Sequence, residues 1–373
     1  MVHENKNKKI LTFLSSIKGI GRVSILKMEN FAKSNNLSLA DLIDKPDILM
    51  NLMMKIEIIE EIKLFKKKFT FDSYYQYLQD KDIKVVSYQD FQYPSLLKEI
   101  PNFPLILFIK GKVNFISQNP LAIVGTRKMT HYGQIALKKI MIDLQENNLF
   151  FISGFMYGID TLVAELALKL HKNTIGVLGF GFDYLYPMEN KKLFDQILET
   201  GNGFISEYPP FQVPLPANFV LRNRLIAGMS LATVIIEAAK KSGSLITANF
   251  AVEYGREVMA VSGPITSIYC EGVKDLINQG AKLVSCGEDI IAELGIYFRN
   301  DLNRKNEKNK TLIMLDFWEQ KIIDLLKTEV LTIDDLLLRL QISIKELNRV
   351  LTRMEMKGFI LMKGDSVLLN VFD

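Results

Sequence analysis

The chain contains several short segments whose residue types are suited to binding phosphate groups. They combine glycines, which let an anion approach the backbone amides, with hydroxyl and cationic side chains. Each segment follows a short apolar run, and together they contain Gly125, Thr126 and Arg127; Ser153 and Gly154; Phe219, Arg222, Asn223 and Arg224; and Lys241, Ser242, Gly243 and Ser244. Such a row suits a chain of phosphates better than a single nucleotide. Proteins that bind single-stranded nucleic acid add aromatic stacking, for which Phe219 is the candidate.

Several of these residues also have a purely structural interpretation. Glycines after strands often serve only close packing, and a phenylalanine is more often part of a core. Arg222 and Arg224 can both pair with Glu207 or Glu237, and we expect one of the two arginines to be structural. Glu207, Glu237 and Asp160 are isolated carboxylates beside many cations, so we expect them to orient arginines rather than to act as acid and base.

Residue patterns typical of catalysis or of metal binding are missing from the sequence. It has no GxxxxGK[ST] loop, and the glycines of Gly176–Gly181 lack the spacing of a dinucleotide fingerprint. The 3 histidines and 2 cysteines are too few for a typical zinc cluster. We therefore expect a binding protein rather than an enzyme, with no metal and no cofactor.

Short apolar runs separated by helical segments indicate the element that positions these residues. The runs are Leu121–Val124, Phe150–Ile152, Thr174–Leu178, Phe204–Ser206, Thr233–Ile236, Val258–Val261 and Lys282–Val284. Uniformly apolar short strands are typical of a parallel sheet buried on both faces, so the fold class is α/β, with a doubly wound, mostly parallel sheet. Ligands of such sheets bind at the carboxyl ends of the strands, where the phosphate-binding segments would meet.

The N-terminal part of the chain is helical in character from Ile10 to about Phe71, because apolar residues recur at spacings of three and four. The segment Ile17–Gly21 carries two glycines around one apolar residue and predicts a helix-hairpin-helix. Two interpretations stay open for this turn. Its amides bind phosphate, or it only connects two packed helices.

The C-terminal part follows a polar linker and predicts a winged helix. Three helical segments over residues 317–357 precede a hairpin that turns at Gly364-Asp365. The third helix carries cations at successive i+4 steps, namely Lys345, Arg349, Arg353 and Lys357. This helix commonly enters a DNA groove in winged helices, so the four cations are a possible secondary DNA contact; a solvated helix face is the alternative.

The domain boundaries that we predict are 1–72 for the helical domain, 73–298 for the α/β domain, 299–311 for the linker and 312–373 for the winged helix. The 373 residues, 48% hydrophobic and 24% charged, exclude a disordered or fibrous protein. The net charge of +4 is small, so any polyanion must be bound by a local patch. The N-terminus lacks a targeting pattern, and no apolar run is long enough for a membrane span, so we expect a cytoplasmic location with no membrane partner.

A set of motifs in the central region resembles the bacterial DNA-processing protein A family (DprA, also called Smf). They are AIVGTR (122–127), Tyr132-Gly133, SGFMYGID (153–160), Tyr186-Pro187 with Asn190, Glu207 with Pro209, FVLRNRLIAGMS (219–230), EAAKKSGSLITA (237–248), GREVMAVSG (255–263) and LINQGAKLV (276–284). The chain departs from the family's pattern at four positions. Ala164, Phe180, Asn218 and Val220 stand where the family often has histidine, cysteine, histidine and proline.

The resemblance implies an extended Rossmann-like sheet between a SAM-like helical domain and a winged helix. It also implies a non-catalytic homodimer that binds single-stranded DNA, protects incoming strands and loads the RecA recombinase onto them during natural transformation. The family's DNA groove corresponds to Gly125, Thr126, Arg127, Ser153, Gly154, Phe219, Arg222, Asn223, Lys241, Ser242, Gly243 and Ser244. Arg224 joins this set from the residue types alone.

Two other hypotheses stay open at this point. One is a nucleotide phosphoribohydrolase-like enzyme, which binds phosphate at a glycine-rich helix start and uses a following glutamate. The segment Ser242–Thr247 lacks that group's leading proline and second glycine, and Glu253 lies a helical turn too far along. The other hypothesis is an interaction adaptor whose winged helix recruits a protein.

Overall fold

The computed structural model describes residues 2–113, 119–295, 317–326, 331–340, 342–356 and 360–369. The chain divides into two compact units, Met1–Phe298 and Arg299–Asp373. The predicted linker at 299–311 lies outside the described residues.

The first unit is built on a 9-stranded sheet with the strand order β1-β2-β6-β5-β4-β3-β7-β8-β9. The strands are β1 Ile83–Ser87, β2 Ile106–Gly111, β3 Asn119–Val124, β4 Leu149–Ser153, β5 Thr174–Leu178, β6 Gly203–Ser206, β7 Ala232–Ile235, β8 Glu257–Val261 and β9 Lys282–Val284. From β6 to β9 all neighbours are parallel, whereas β2 is antiparallel to both β1 and β6. The doubly wound, mostly parallel sheet predicted from the apolar runs is confirmed.

Alternate residues of the central strands belong to two different cores, which is why the runs are uniformly apolar. Leu121 and Ile123 lie in one buried cluster, and Ala122 and Val124 lie in the other. Both faces of the sheet are covered by helices, so a polar residue on either face would lose hydration.

Thirteen described α-helices belong to this unit. They are α1 Val2–Ser15, α2 Arg22–Ser34, α3 Leu39–Asp44, α4 Ile56–Lys68, α5 Phe71–Asp80, α6 Ser95–Lys98, α7 His131–Asp143, α8 Ile159–Lys169, α9 Lys191–Glu199, α10 Pro216–Gly228, α11 Gly243–Glu253, α12 Glu271–Asn278 and α13 Gly287–Glu293. The crossover helices α7, α8, α10 and α11 begin at the carboxyl edge of the sheet and direct their N-termini toward it.

The first five helices share a core with the sheet. Phe13 and Tyr74 pack in one cluster with Val85 and Phe108 of β1 and β2. The boundary predicted at residues 72–73 therefore falls inside α5 and within a compact unit. The predicted hairpin is present, because Gly19 has φ +83° in the turn that joins α1 to α2.

The second unit has the elements of a winged helix. They are α14 Phe317–Leu326, β10 Leu331–Thr332, α15 Ile333–Leu340, α16 Ile344–Met356, β11 Ile360–Lys363 and β12 Ser366–Leu369. The three strands form a sheet of order β10-β12-β11, and Gly364, with φ +61°, lies in the turn between the last two strands. The predicted winged helix is confirmed.

In the part of the chain that the structure describes, no helix has the length and apolarity that a bilayer crossing requires. The same residues contain no group of three or more His, Cys, Asp or Glu side chains arranged to hold a metal ion.

Candidate nucleic-acid interface

Most of the predicted binding residues line one groove at the carboxyl edge of the sheet. The groove has a volume of about 550 Å³. The predicted residues that line it are Gly125, Thr126, Arg127, Phe219, Arg222, Asn223, Ser242, Gly243 and Ser244. They come from the end of β3 and the N-terminal parts of α10 and α11, which the parallel topology brings together.

The turn after β3 carries an exposed arginine, Arg127, and is fixed by a hydrogen bond of the buried residue before it. The backbone N–H of Thr126 donates to the carbonyl oxygen of Glu237 at 2.8 Å. A Cβ on Gly125 would lie 2.7 Å from Cγ1 of Ile159, so this glycine is required for packing. Arg127 itself is exposed, and its guanidinium carbon lies 5.8 Å from the centroid of the Phe219 ring. A cation and an aromatic face are thus presented side by side.

The buried carboxylate of Glu237 hydrogen-bonds to the last residue of the same turn, Thr130. Its oxygens accept hydrogen bonds from the backbone N–H and the hydroxyl of Thr130, at 2.8 and 2.6 Å. Thr130 is the N-cap of α7, where a negative charge is stabilised by the helix dipole. Among the described residues Glu237 forms no ion pair with an arginine, and it positions Arg127 only through this turn.

Arg222 is almost fully buried, with 2% of its surface exposed. Its Nη1 donates to the carbonyl oxygen of Gly154 at 2.7 Å and also to that of Val177. These carbonyls lie at the carboxyl ends of β4 and β5, so Arg222 ties two strand ends together. The donors that were predicted to hold a phosphate are engaged inside the protein.

Asp160 is the buried counter-charge of Arg222. A Cβ on Gly154 would lie 2.6 Å from Oδ2 of Asp160 and 2.7 Å from Nη2 of Arg222, so Gly154 is needed to let these side chains approach. Burial raises the pKa of Asp160 to about 6, and the charge of Arg222 opposes that rise. Burial likewise lowers the pKa of Arg222 to about 10, against the attraction of Asp160. The expectation that Asp160 orients an arginine agrees with this pairing.

Ser153 and Arg224 were also predicted to contact DNA, but neither lines the groove. The hydroxyl of Ser153 donates to the carbonyl oxygen of Ile123 at 2.9 Å and is buried beneath the groove. Arg224 forms an ion pair with Glu207 and donates to the carbonyl oxygen of Asn102 at 2.9 Å, on another face of α10. The expectation that one arginine pairs with Glu207 is confirmed.

The N-terminus of α11 forms the opposite wall of the groove. Ser242 caps the helix by accepting from the backbone N–H of Ser244, and the two hydroxyl oxygens lie 2.8 Å apart. Asn223 donates from Nδ2 to the carbonyl oxygen of Gly243 at 3.2 Å, which joins α10 to α11. Gly243 is exposed, and a Cβ there would meet no atom within 4 Å. The exposed Lys241 precedes this turn but does not line the groove.

Phe219 lies at the end of a small aromatic cluster. Its ring centroid is 5.5 Å from that of Tyr186 and 6.1 Å from that of Phe180. Phe219 is half-buried, so part of its ring is available to a ligand. This position combines both earlier interpretations, since the ring belongs to a core and also faces the groove.

Some groove residues were not singled out as binding residues from the sequence. They are Lys128, Met156, Tyr186 and Pro216. Lys128 could have been recognised as a groove residue from the sequence, because it follows Arg127 directly. Glu253, the residue that an enzyme mechanism would have used, is exposed at the far end of α11 from Ser242.

The cations of the winged helix have unequal surroundings. Lys345 and Arg349 are exposed on α16. Arg353 donates from Nε to Oε1 of the buried Glu319 at 2.8 Å, so it is part of the internal packing of this unit. Lys357 lies outside the described residues.

Comparison with known proteins assigns the chain to a family. The family model described as DNA recombination-mediator protein A matches residues 84–295, and the one described as the DprA winged helix domain matches residues 314–363. The DNA processing protein DprA of Streptococcus pneumoniae is 36% identical over 284 residues, which cover 74% of this chain and 94% of that protein. The corresponding protein of Bacillus subtilis is 37% identical over 217 residues, which cover 58% and 73%.

Solved structures agree with this assignment. The structure of DprA from Streptococcus pneumoniae superposes with a TM-score of 0.60 at 32% identity and covers 77% of this chain and 95% of that chain. The structure of DNA processing protein A from Helicobacter pylori gives a TM-score of 0.50 at 25% identity and covers 57% and 95%. Sequence, fold and both family models therefore lead to one conclusion: the chain belongs to the DprA/Smf family of DNA recombination mediators.

Proposed function

We propose that the groove binds single-stranded DNA and that the protein is a recombination mediator without catalytic activity of its own. The observation that carries the proposal is the exposed guanidinium of Arg127 beside the half-buried ring of Phe219. A phosphate on Arg127 and the neighbouring base on Phe219 would be held together. A base can stack on this ring only when it is unpaired, so the groove would select single strands over duplex.

The binding residues fall into two classes in this proposal. Those that contact the strand are Gly125, Thr126, Arg127, Phe219, Asn223, Lys241, Ser242, Gly243 and Ser244. Their amides and hydroxyls surround the space in front of Arg127, and the free N–H groups of α11 add a partial positive charge there. Ser153, Gly154, Arg222 and Arg224 are engaged in hydrogen bonds inside the protein and support these residues from within.

The wider role rests on the family. The structure of the Helicobacter pylori relative concerns that protein's single-stranded DNA binding mode. We infer that this chain likewise protects incoming single strands and passes them to the RecA recombinase during natural transformation, as a cytoplasmic homodimer. The exposed Lys345 and Arg349 would supply a secondary DNA contact.

The central test is charge reversal in the groove. Arg127→Glu should weaken binding to a short oligothymidylate at least a hundredfold, because it removes one phosphate contact and adds repulsion for the others. Fluorescence anisotropy with single-stranded and duplex DNA of equal length measures both affinity and strand preference.

The matched control is Lys84→Glu. Lys84 is exposed on β1, five strand spacings or about 24 Å from β3 in the sheet, and beyond the screening length of ordinary buffers. Its reversal should leave affinity unchanged. Equal binding of duplex and single strands, or equal effects of the two variants, would refute the proposal.

A further inference from the structure

The carboxyl edge of the sheet carries a second place where a cation lies over aromatic rings. Nζ of Lys68, in the last turn of α4, lies 5.8 Å from the centroid of the Phe211 ring and 5.2 Å from that of Phe69. In the groove, the guanidinium carbon of Arg127 lies at the same 5.8 Å from the centroid of Phe219. We call Lys68, Phe69 and Phe211 the Phe211 patch.

The patch and the groove are joined by one short segment of chain. Phe211 lies between β6 and α10, and Phe219 lies in the first turn of α10. An extended chain spans at most about 3.5 Å per residue and a helix rises about 1.5 Å per residue, so the two Cα atoms are at most about 22 Å apart. About seven nucleotides cover that span at the stacked spacing of about 3.4 Å.

The two rings also follow neighbouring strands. A Cβ on Gly179, the residue after β5, would lie 3.0 Å from Cδ1 of Phe219. Phe211 follows β6, which pairs with β5 in parallel, so both rings lie at the same edge of the sheet. One strand of DNA can therefore reach both places without crossing the sheet.

The rings of the patch are held by packing and remain partly open. Phe69 and Phe211 are half-buried, and Lys68 is exposed. The ring of Phe65 lies 5.4 Å from that of Phe69 and 5.8 Å from that of Phe211, which fixes both. Phe219 is held in the same way, half-buried at the end of an aromatic cluster.

Lys68 differs from other lysines of its helix in having no carboxylate partner. Lys63 pairs with Asp47 at 2.8 Å, and Lys66 pairs with Asp44 at 2.7 Å. Among the described residues Lys68 forms no ion pair. Its charge is therefore available to an anion.

The surrounding charges favour a polyanion at the patch. Glu61 lies two helical turns before Lys68, about 10 Å along α4, and Asp183 is paired with Lys81. Residues 1–72 contain 13 Lys and Arg against 9 Asp and Glu, so this part carries the whole net charge of +4. A strand that leaves the groove is attracted toward it.

We propose that the single strand held by the groove continues to the Phe211 patch, where Lys68 binds one of its phosphates and the open part of Phe211 contacts a base. The patch offers the combination of cation and aromatic ring that single-strand binders use. This inference rests on the proposed function, because the groove anchors the strand. It makes the helical part of the chain a second region that contacts DNA.

The first test measures how strongly binding depends on salt. For an oligothymidylate of about twelve nucleotides, Lys68→Gln should lower the slope of log affinity against log salt by about 0.7 and the affinity about fivefold at about 0.1 M salt. Lys55→Gln is the matched control, since Lys55 is exposed at the other end of α4, about 20 Å away and beyond the screening length. It should leave the slope unchanged.

Arg127→Gln separates failure of this inference from failure of the proposed function. It should lower the slope by about 0.7, and the double variant with Lys68→Gln should lower it by about 1.4. A normal slope in Lys68→Gln alone would overturn the path to the patch and leave the groove. That result would mean that Lys68 only stabilises the C-terminus of α4. Normal slopes in both single variants would refute the proposed function as well.

The second test locates the bases and does not depend on a variant. Strands that carry one 5-iodouracil at successive positions are irradiated with the unaltered protein, and adducts are mapped by mass spectrometry. We expect adducts on Phe219 at one position and on Phe211 or Phe69 at another, at most about seven nucleotides away. Adducts on Phe219 alone would overturn the inference, and adducts on none of these rings would also contradict the proposed function.

Discussion

The groove and the basic face of α16 both carry cations, but the fold holds them in different ways. Arg127 stands on a turn that is anchored by Glu237 and Thr130, above the buried pair of Arg222 and Asp160. Lys345 and Arg349 simply project from a helix into solvent. Cations that are fixed before binding lose less conformational freedom when a phosphate arrives, so the groove should bind more strongly per charge.

Among the variants that test the difference between the two regions, Arg222→Met should have the largest effect, which is a loss of folding stability. It removes a buried cation that holds the carbonyls of Gly154 and Val177 and leaves Asp160 as an uncompensated buried charge. The free energy of unfolding should fall by about 3–5 kcal/mol, as measured by denaturant titration. Arg127→Met should leave folding stability unchanged and weaken DNA binding. If Arg222→Met is as stable as the unaltered protein and lowers the salt dependence of binding, Arg222 is a phosphate ligand instead.

The pH dependence of stability tests the same buried pair with a smaller effect. The pKa of Asp160 is raised from 3.8 to about 6, so the folded protein takes up a proton in this range before the unfolded chain does. The contribution of Asp160 to stability is therefore smallest above pH 6 and increases as the pH falls toward 4, by up to about 1.4 kcal/mol per pH unit.

Asp160→Asn should abolish this contribution. The free energies of unfolding of the two proteins, measured over this pH range, isolate the effect of the carboxyl. A carboxyl held mainly by the charge of Arg222 would show the opposite sign, with the unaltered protein losing stability relative to the variant on acidification.

The smallest effect is expected when cations of the winged helix are replaced, and it concerns the salt dependence of DNA binding. Replacing Lys345 and Arg349 together by glutamine should reduce the slope of log affinity against log salt by at most about 1.4, since each phosphate contact to a single strand contributes about 0.7. Folding stability should not change. Arg353→Gln, which removes the ion pair with Glu319, should destabilise this unit instead. A slope change per replaced cation that is larger than the change in Arg127→Gln would reverse the order of the two regions.

Much of the fold was predictable because it follows from local patterns. The strands at 121–124 and 174–178 are predominantly apolar, and the structure places both inside the sheet. Residues 121–124 are divided between two cores, and Ile175 and Leu178 likewise lie in different buried clusters. The glycine turns before α2 and after β11 were recognisable as well, since only glycine adopts a positive φ there at little cost. The packing of α1 on β1 and β2 was not predictable, because it joins parts of the chain that are far apart in sequence. The domain boundary at residue 72 stays a prediction.

The binding residues were recognisable as a set, but their individual roles were not. Arg222 and Arg224 have the same side chain two positions apart, and on a helix that spacing turns them to different faces. One meets Gly154 and the other meets Asn102, at separations of 68 and 122 residues along the chain. Ser153 and Glu237 are further examples, since each is directed by a partner far away in sequence.

The amino-acid sequence by itself determined the parallel sheet, the edge at which the phosphate-binding segments gather and the family, because these depend on apolar periodicity and on motifs of neighbouring residues. Only the tertiary structure decided which cations face solvent, which are buried as supports and which lie over aromatic rings. The physical reason is that burial and hydrogen-bond partners are set by contacts between segments far apart in the chain, whereas a residue's type states only what it is able to donate or accept.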